Sequence, residues 1–149
     1  MLGLAELLEL RGLDLYKKIK IVRHQDKRYD VQEMLEKGQL EIYQSYQTNP
    51  IFDCDFVVST IGDESTKSIF YNVYKVIDKK KAKEVPLKGE YIFKDLVAEI
   101  IQKDGWYYRL ERIEGFDDLS DRVVIEWGKA ALSWNQYFNK EKDKEIVEI

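Results

Sequence analysis

Hydrophobic positions recur along this chain in two rhythms. Near the N-terminus Leu2, Leu4, Leu7, Leu8 and Leu10 share one helical face, with Glu6 and Glu9 opposite. That spacing predicts a short amphipathic helix, which Gly12 ends. Residues 18–24 alternate instead. Ile19 and Ile21 point one way and Lys20 and Val22 the other, so a strand is expected. Asp30 with Glu33 forms a capping box ahead of a helix that stops near Gly38, and a second short helix is expected over residues 39–46. Residues 52–61 and 68–78 are strongly apolar and alternating, and the link Gly62-Asp63-Glu64-Ser65 makes them a hairpin. A lysine-rich loop is expected over residues 79–89. Residues 91–102 suit helix or strand, and Asp104-Gly105 is a turn. Residues 106–113 alternate as a strand, 115–120 read as a loop, and 122–127 as a buried strand that breaks at Gly128. Residues 130–138 suggest a helical turn, 140–144 a solvated tether, and 145–149 a last strand.

Helices early and strands later, with no βαβ alternation, imply an α+β fold. The expected core is a mostly antiparallel curled sheet or partly closed barrel with short peripheral helices. A chain of 149 residues is the length of a single globular domain. No apolar run approaches the length of a membrane span, and the start carries no basic, signal-like segment, so a cytoplasmic protein away from membranes is expected. With Cys54 as the one cysteine and His24 as the one histidine, an intrachain disulfide and a His/Cys zinc site are both excluded. The net charge of −4 argues against attraction to nucleic acid over the whole surface. The cations are unevenly placed, however. Lys17, Lys18, Lys20, Arg23, Lys27 and Arg28 crowd one stretch, and Lys79, Lys80, Lys81 and Lys83 another.

Several kinds of chemistry can be weighed from residue types. Asp53 and Asp55, or Asp117, Asp118 and Asp121, offer carboxylates but no recognised metal-ligand spacing. Cys54 and His24 are far apart in sequence, and a lone cysteine beside a strand is more often a small buried hydrophobe. A metal-dependent nuclease core would need Asp55 on one strand and Asp78-Lys79-Lys80 on the next, while Glu126-Trp127-Gly128-Lys129 misses that spacing by one residue. The better-supported pattern is a basic and aromatic surface. Arg23, Lys27, Arg28 and Lys129 would hold phosphate, and Trp127 and Trp134 would stack on a base. Gln44 or Gln47 would read its edge, with His24, Ser133 and Gln136 part of the same binding surface. For each aromatic taken singly a core position is the favoured reading; of the two tryptophans, Trp127 is assigned to the core and Trp134 to ligand contact.

Taken in order, Val22-Arg23-His24-Gln25-Asp26-Lys27-Arg28-Tyr29-Asp30, Tyr43-Gln44-Ser45-Tyr46-Gln47, residues 52–59, residues 124–129 with Trp134-Asn135-Gln136, and residues 145–149 resemble a known arrangement. It is the N-terminal region that precedes the nuclease domain in a group of bacterial GIY-YIG nuclease family proteins. The resemblance implies a separated accessory domain, itself not an enzyme and without a cofactor, that brings a nuclease of a restriction or defence system to DNA, plain or modified. The cognate nuclease domain would lie in the same native chain, since no Gly-Ile-Tyr or Tyr-Ile-Gly triplet occurs here. The strand-rich middle also resembles small barrels of the PUA/EVE type, which hold modified or flipped bases. The alternative is a protein-interaction or oligomerisation domain that positions a nuclease without touching nucleic acid.

Overall fold

One long strand organises the sheet. In this computed structural model, which describes residues 3–24, 42–45, 52–62, 66–84, 104–120, 122–127 and 135–148, helix α1 (Leu4–Leu10) is followed by strands β1 (Ile19–His24), β2 (Ile42–Ser45), β3 (Phe56–Gly62) and β4 (Lys67–Lys81). Strands β5 (Trp106–Arg112), β6 (Val123–Glu126), β7 (Asn135–Tyr137) and β8 (Glu145–Glu148) complete the set. The main path runs β2-β5-β4-β3-β1-β7, with β6 on β4 and β8 on β6. β3 occupies one edge of β4 along Ser68 to Lys75, while β6 and then β5 share the other. Only β1 and β3 pair in parallel; the other described pairs are antiparallel. The result is a curled, open half-barrel with few helices.

The curl has a local cause. Opposite β3 the register shifts between Ser59 and Thr60, which leaves Tyr71 as an extra residue on β4. Opposite β5 it shifts again, and Ile77 is extra. Each bulge bends its strand and increases the local twist, so a strand carrying two of them cannot lie flat.

Alternation gives the sheet two apolar faces. Ile19, Ile21, Val58, Phe70, Val73, Val123, Ile125 and Trp127 face one cluster, which Leu4, Leu7 and Leu8 of α1 cover. Val22, Val57, Ile61, Tyr71, Tyr74, Tyr108 and Leu110 face the other, joined by Phe52, whose ring lies 4.9 Å from that of Tyr108. Helix α1 has 7 residues, too few to persist alone in water. Remote segments hold both of its ends. Leu4 N–H donates to the Lys144 carbonyl at 2.7 Å and Ala5 N–H to the Asp143 carboxylate at 2.9 Å. At the other end Arg11 grips both carboxylate oxygens of Asp118, at 2.8 and 3.0 Å, and the Gly115 carbonyl.

That latch and two others make stability sensitive to acid. The Arg11 hydrogen bond holds the Asp118 carboxyl below its ordinary pKa; bonds from Lys79 and Lys81 do the same for Asp53 and Asp104. A carboxyl whose folded pKa is depressed contributes stability above its unfolded value, and loses it as pH falls through the folded one. The urea midpoint should therefore hold from pH 7 to 5 and fall below about pH 4. Asp118→Asn should show a smaller fall than the parent; an equal fall in both would remove Asp118 from this account.

Three expectations change. Residues 42–45 are strand β2, not helix, and 135–137 are strand β7, not a helical turn. Short amphipathic spacing fits either form, and β5 and β1 offer edges on which these segments satisfy their backbone groups. Lys79, Lys80 and Lys81 continue β4 rather than open a loop. The helix expected at 30–38 and the segment at 91–102 lie outside the described residues. Among the described residues no helix is long and apolar enough to cross a membrane.

Candidate nucleic-acid interface

Strand direction decides which candidate residues meet. β3 and β6 are both antiparallel to β4, and β1 runs with β3, so β1, β3 and β6 end at the same end of the sheet. β4 and β7 begin there. Across this end runs a row of side chains on the face that also carries Ile21, Val58 and Phe70. The Arg23 guanidinium lies over Gly62, so close that a Cβ added to the glycine would stand 2.6 Å from Cζ and 2.8 and 2.9 Å from the terminal nitrogens. Gly62 pairs with Ser68, and the Ser68 hydroxyl accepts the Trp127 indole N–H at 2.9 Å. Gln136, half-buried on β7, pairs with Ile21.

Trp127 therefore belongs to the core. Its residue exposure is 6%, its backbone N–H donates to the Thr66 carbonyl at 2.7 Å, and its side-chain N–H is used by Ser68. A ring packed in this way does not offer a face to a base, which corrects its place among the stacking residues. The signal was in the period: Trp127 stands in phase with Val123 and Ile125, both buried. Gln44 also leaves the group. It pairs with Tyr107, which pairs with Lys80 near the far end of β4, about 40 Å of strand contour from Ser68. His24 ends β1 beside Arg23. Lys27, Arg28, Gln47, Lys129, Ser133 and Trp134 lie outside the described residues.

Sequence reasoning missed how the second lysine run is spent. Lys79 meets Asp53 at 3.0 Å, Lys80 meets Asp78 at 3.3 Å, and Lys81 and Lys83 meet Asp104 at 3.0 and 3.6 Å. Two β4 lysines approach the Trp106 ring, with Lys81 Nζ 4.6 Å and Lys79 Nζ 6.0 Å from its centroid. This run ties the turn at Asp104 and the segment at Asp53 to β4, and much of its charge is neutralised locally. No spacing rule could show this, because Asp53 and Asp104 are remote from the lysines in sequence.

The catalytic groupings weighed from residue types are not assembled among the described residues. Burial pushes the Cys54 thiol up to about 11, so it is a neutral thiol at pH 7 rather than a nucleophilic thiolate. Next to it Lys20 is nearly buried, its Nζ 4.7 Å from the Tyr137 ring centroid, and burial pushes its amine pKa down. Lys79 pairs with Asp53, whereas the Asp55 carboxylate accepts the Lys18 backbone N–H at 3.0 Å. Asp117 accepts from the Asn72 amide at 2.7 Å. Among the described residues no three His, Cys, Asp or Glu side chains converge as a metal site. No family model, no curated protein and no solved structure matches the chain.

Proposed function

We propose that this domain is a non-catalytic DNA-binding module whose contact surface is the end of the sheet where β1, β3 and β6 terminate. The Arg23 guanidinium laid over Gly62 carries the reading. A guanidinium offers a planar fork of donors suited to phosphate oxygens or a base edge. His24 follows Arg23 at the end of β1, and Gln136 shares the face of Arg23. The stretches that hold Lys27 and Arg28, and Lys129, Ser133 and Trp134, are joined to this end through His24 and Trp127. With Trp127 in the core, Trp134 is the residue assigned to base stacking. The role as accessory to a nuclease in the same native chain, and the reading of modified or flipped bases in a PUA/EVE-like manner, rest on the sequence resemblance.

Fluorescence anisotropy with plain and modified duplexes and with single strands tests this. Four phosphate contacts (Arg23, Lys27, Arg28 and Lys129) would weaken binding roughly 100-fold between 50 and 200 mM salt. Trp134→Ala should lose affinity while keeping the parent's melting temperature. Absence of binding to every DNA at low salt rejects the reading. The second reading, a protein-interaction module that positions a nuclease, is favoured by the ion-paired run Lys79 to Lys83. It predicts co-elution with a nuclease domain at salt that abolishes DNA binding.

A further inference from the structure

We infer that Gly62 is a positioning residue, conserving the space in which the Arg23 guanidinium lies so that the fork meets an anionic oxygen of the nucleic acid in a fixed orientation. The functional arm of this inference rests on the DNA-binding reading; its geometric arm does not. Arg23 is opposite Thr60 in the parallel β1–β3 pair, and Gly62 is two residues further along β3. The period of two puts Arg23 and Gly62 on one face. The arginine therefore leans along its neighbour and lays its planar head where a side chain at position 62 would be. The three atoms nearest such a Cβ, Cζ and both terminal nitrogens, belong to that head. On the far side Ser68, the partner of Gly62, is fixed by the Trp127 indole.

The consequence is unusual for a glycine in a strand. A methyl group there collides with the flexible tip of a side chain and not with backbone, so the fold can accept it by letting the guanidinium move. Gly62→Ala should then leave the fold in place and displace Arg23. A glycine kept for backbone reasons behaves the opposite way, because its substitution lowers stability whatever stands at position 23.

The test combines arginine modification with binding, on the full chain. In the parent, phenylglyoxal should modify Arg23 several-fold more slowly than the exposed Arg109 and Arg122, as read by peptide mass spectrometry. Gly62→Ala should raise the Arg23 rate toward theirs, with a melting temperature within about 2 °C of the parent's, which is under ~1 kcal/mol for a domain of this size. The same variant should weaken DNA binding several-fold, and the loss should vanish when Arg23→Ala is already present. An Arg23 rate equal to that of Arg109 in the parent, or unchanged by Gly62→Ala, overturns the inference. So does a loss of affinity that persists in the Arg23→Ala background, or a large fall in melting temperature that persists there. A parent that binds no DNA defeats the proposed function alone, and the modification rates still decide the role of Gly62.

Discussion

Trp127→Ala is expected to lower the stability of the domain by about 3–5 kcal/mol, the usual cost of emptying a large aromatic site in a core. For a chain of this length that corresponds to a fall of about 10 °C in melting temperature. The ring is nearly buried in the core cluster that also holds Ile125 and Phe70, so its removal leaves a cavity as well as lost transfer energy. Its N–H bond to Ser68 Oγ adds a smaller term, about 1 kcal/mol, which Trp127→Phe loses together with part of the ring volume. Urea unfolding of the three proteins measures both. DNA affinity measured well below the melting transition should change little in Trp127→Phe. A Trp127→Ala protein that kept its stability and lost only its affinity would return the ring to the interface.

The second large effect falls on a residue in a segment with no long regular element. Phe116 precedes the 3-10 turn Asp117–Leu119, yet it is fully buried, its ring 6.2 Å from that of Phe70. Phe116→Ala should cost about 3–5 kcal/mol, as much as Phe70→Ala on the central strand. Because the two rings share one site, the double variant should depart from additivity by at least ~0.5 kcal/mol. Strict additivity in denaturant titrations would show that the rings do not pack on each other. The Arg11–Asp118 latch closes over the same segment, so Phe116 also ties α1 to the sheet.

At the candidate site the division between local and distant information is plain. Arg23 and Trp127 stand out in the sequence for their residue types, but only the assembled sheet gives them roles. The parallel pairing of β1 with β3 and the position of β6 on β4 bring them to one end. The same assembly sends Gln44 to the other end and pairs Lys79, Lys80, Lys81 and Lys83 with Asp53, Asp78 and Asp104 at the surface. Gly62 reads in the sequence as turn chemistry. Its closeness to Arg23 depends on the register of two strands separated by more than thirty residues.

By itself the sequence determined the period. Alternation from Lys20 and Val22 against Ile19 and Ile21, through the hairpin of β3 and β4, to Val123 and Ile125 marks which side chains turn to which face. Gly12, with φ 90°, and the Asp104-Gly105 pair, with Asp104 at φ 57°, mark reversals of the chain. These are near-neighbour effects, set by backbone sterics and by which side chains avoid water. The tertiary structure alone decided that residues 42–45 and 135–137 are strands, that two bulges curl β4, and which charges are neutralised. A short segment takes the form that satisfies its N–H and C=O groups, and the strand edge that does so is supplied by residues far away in the chain.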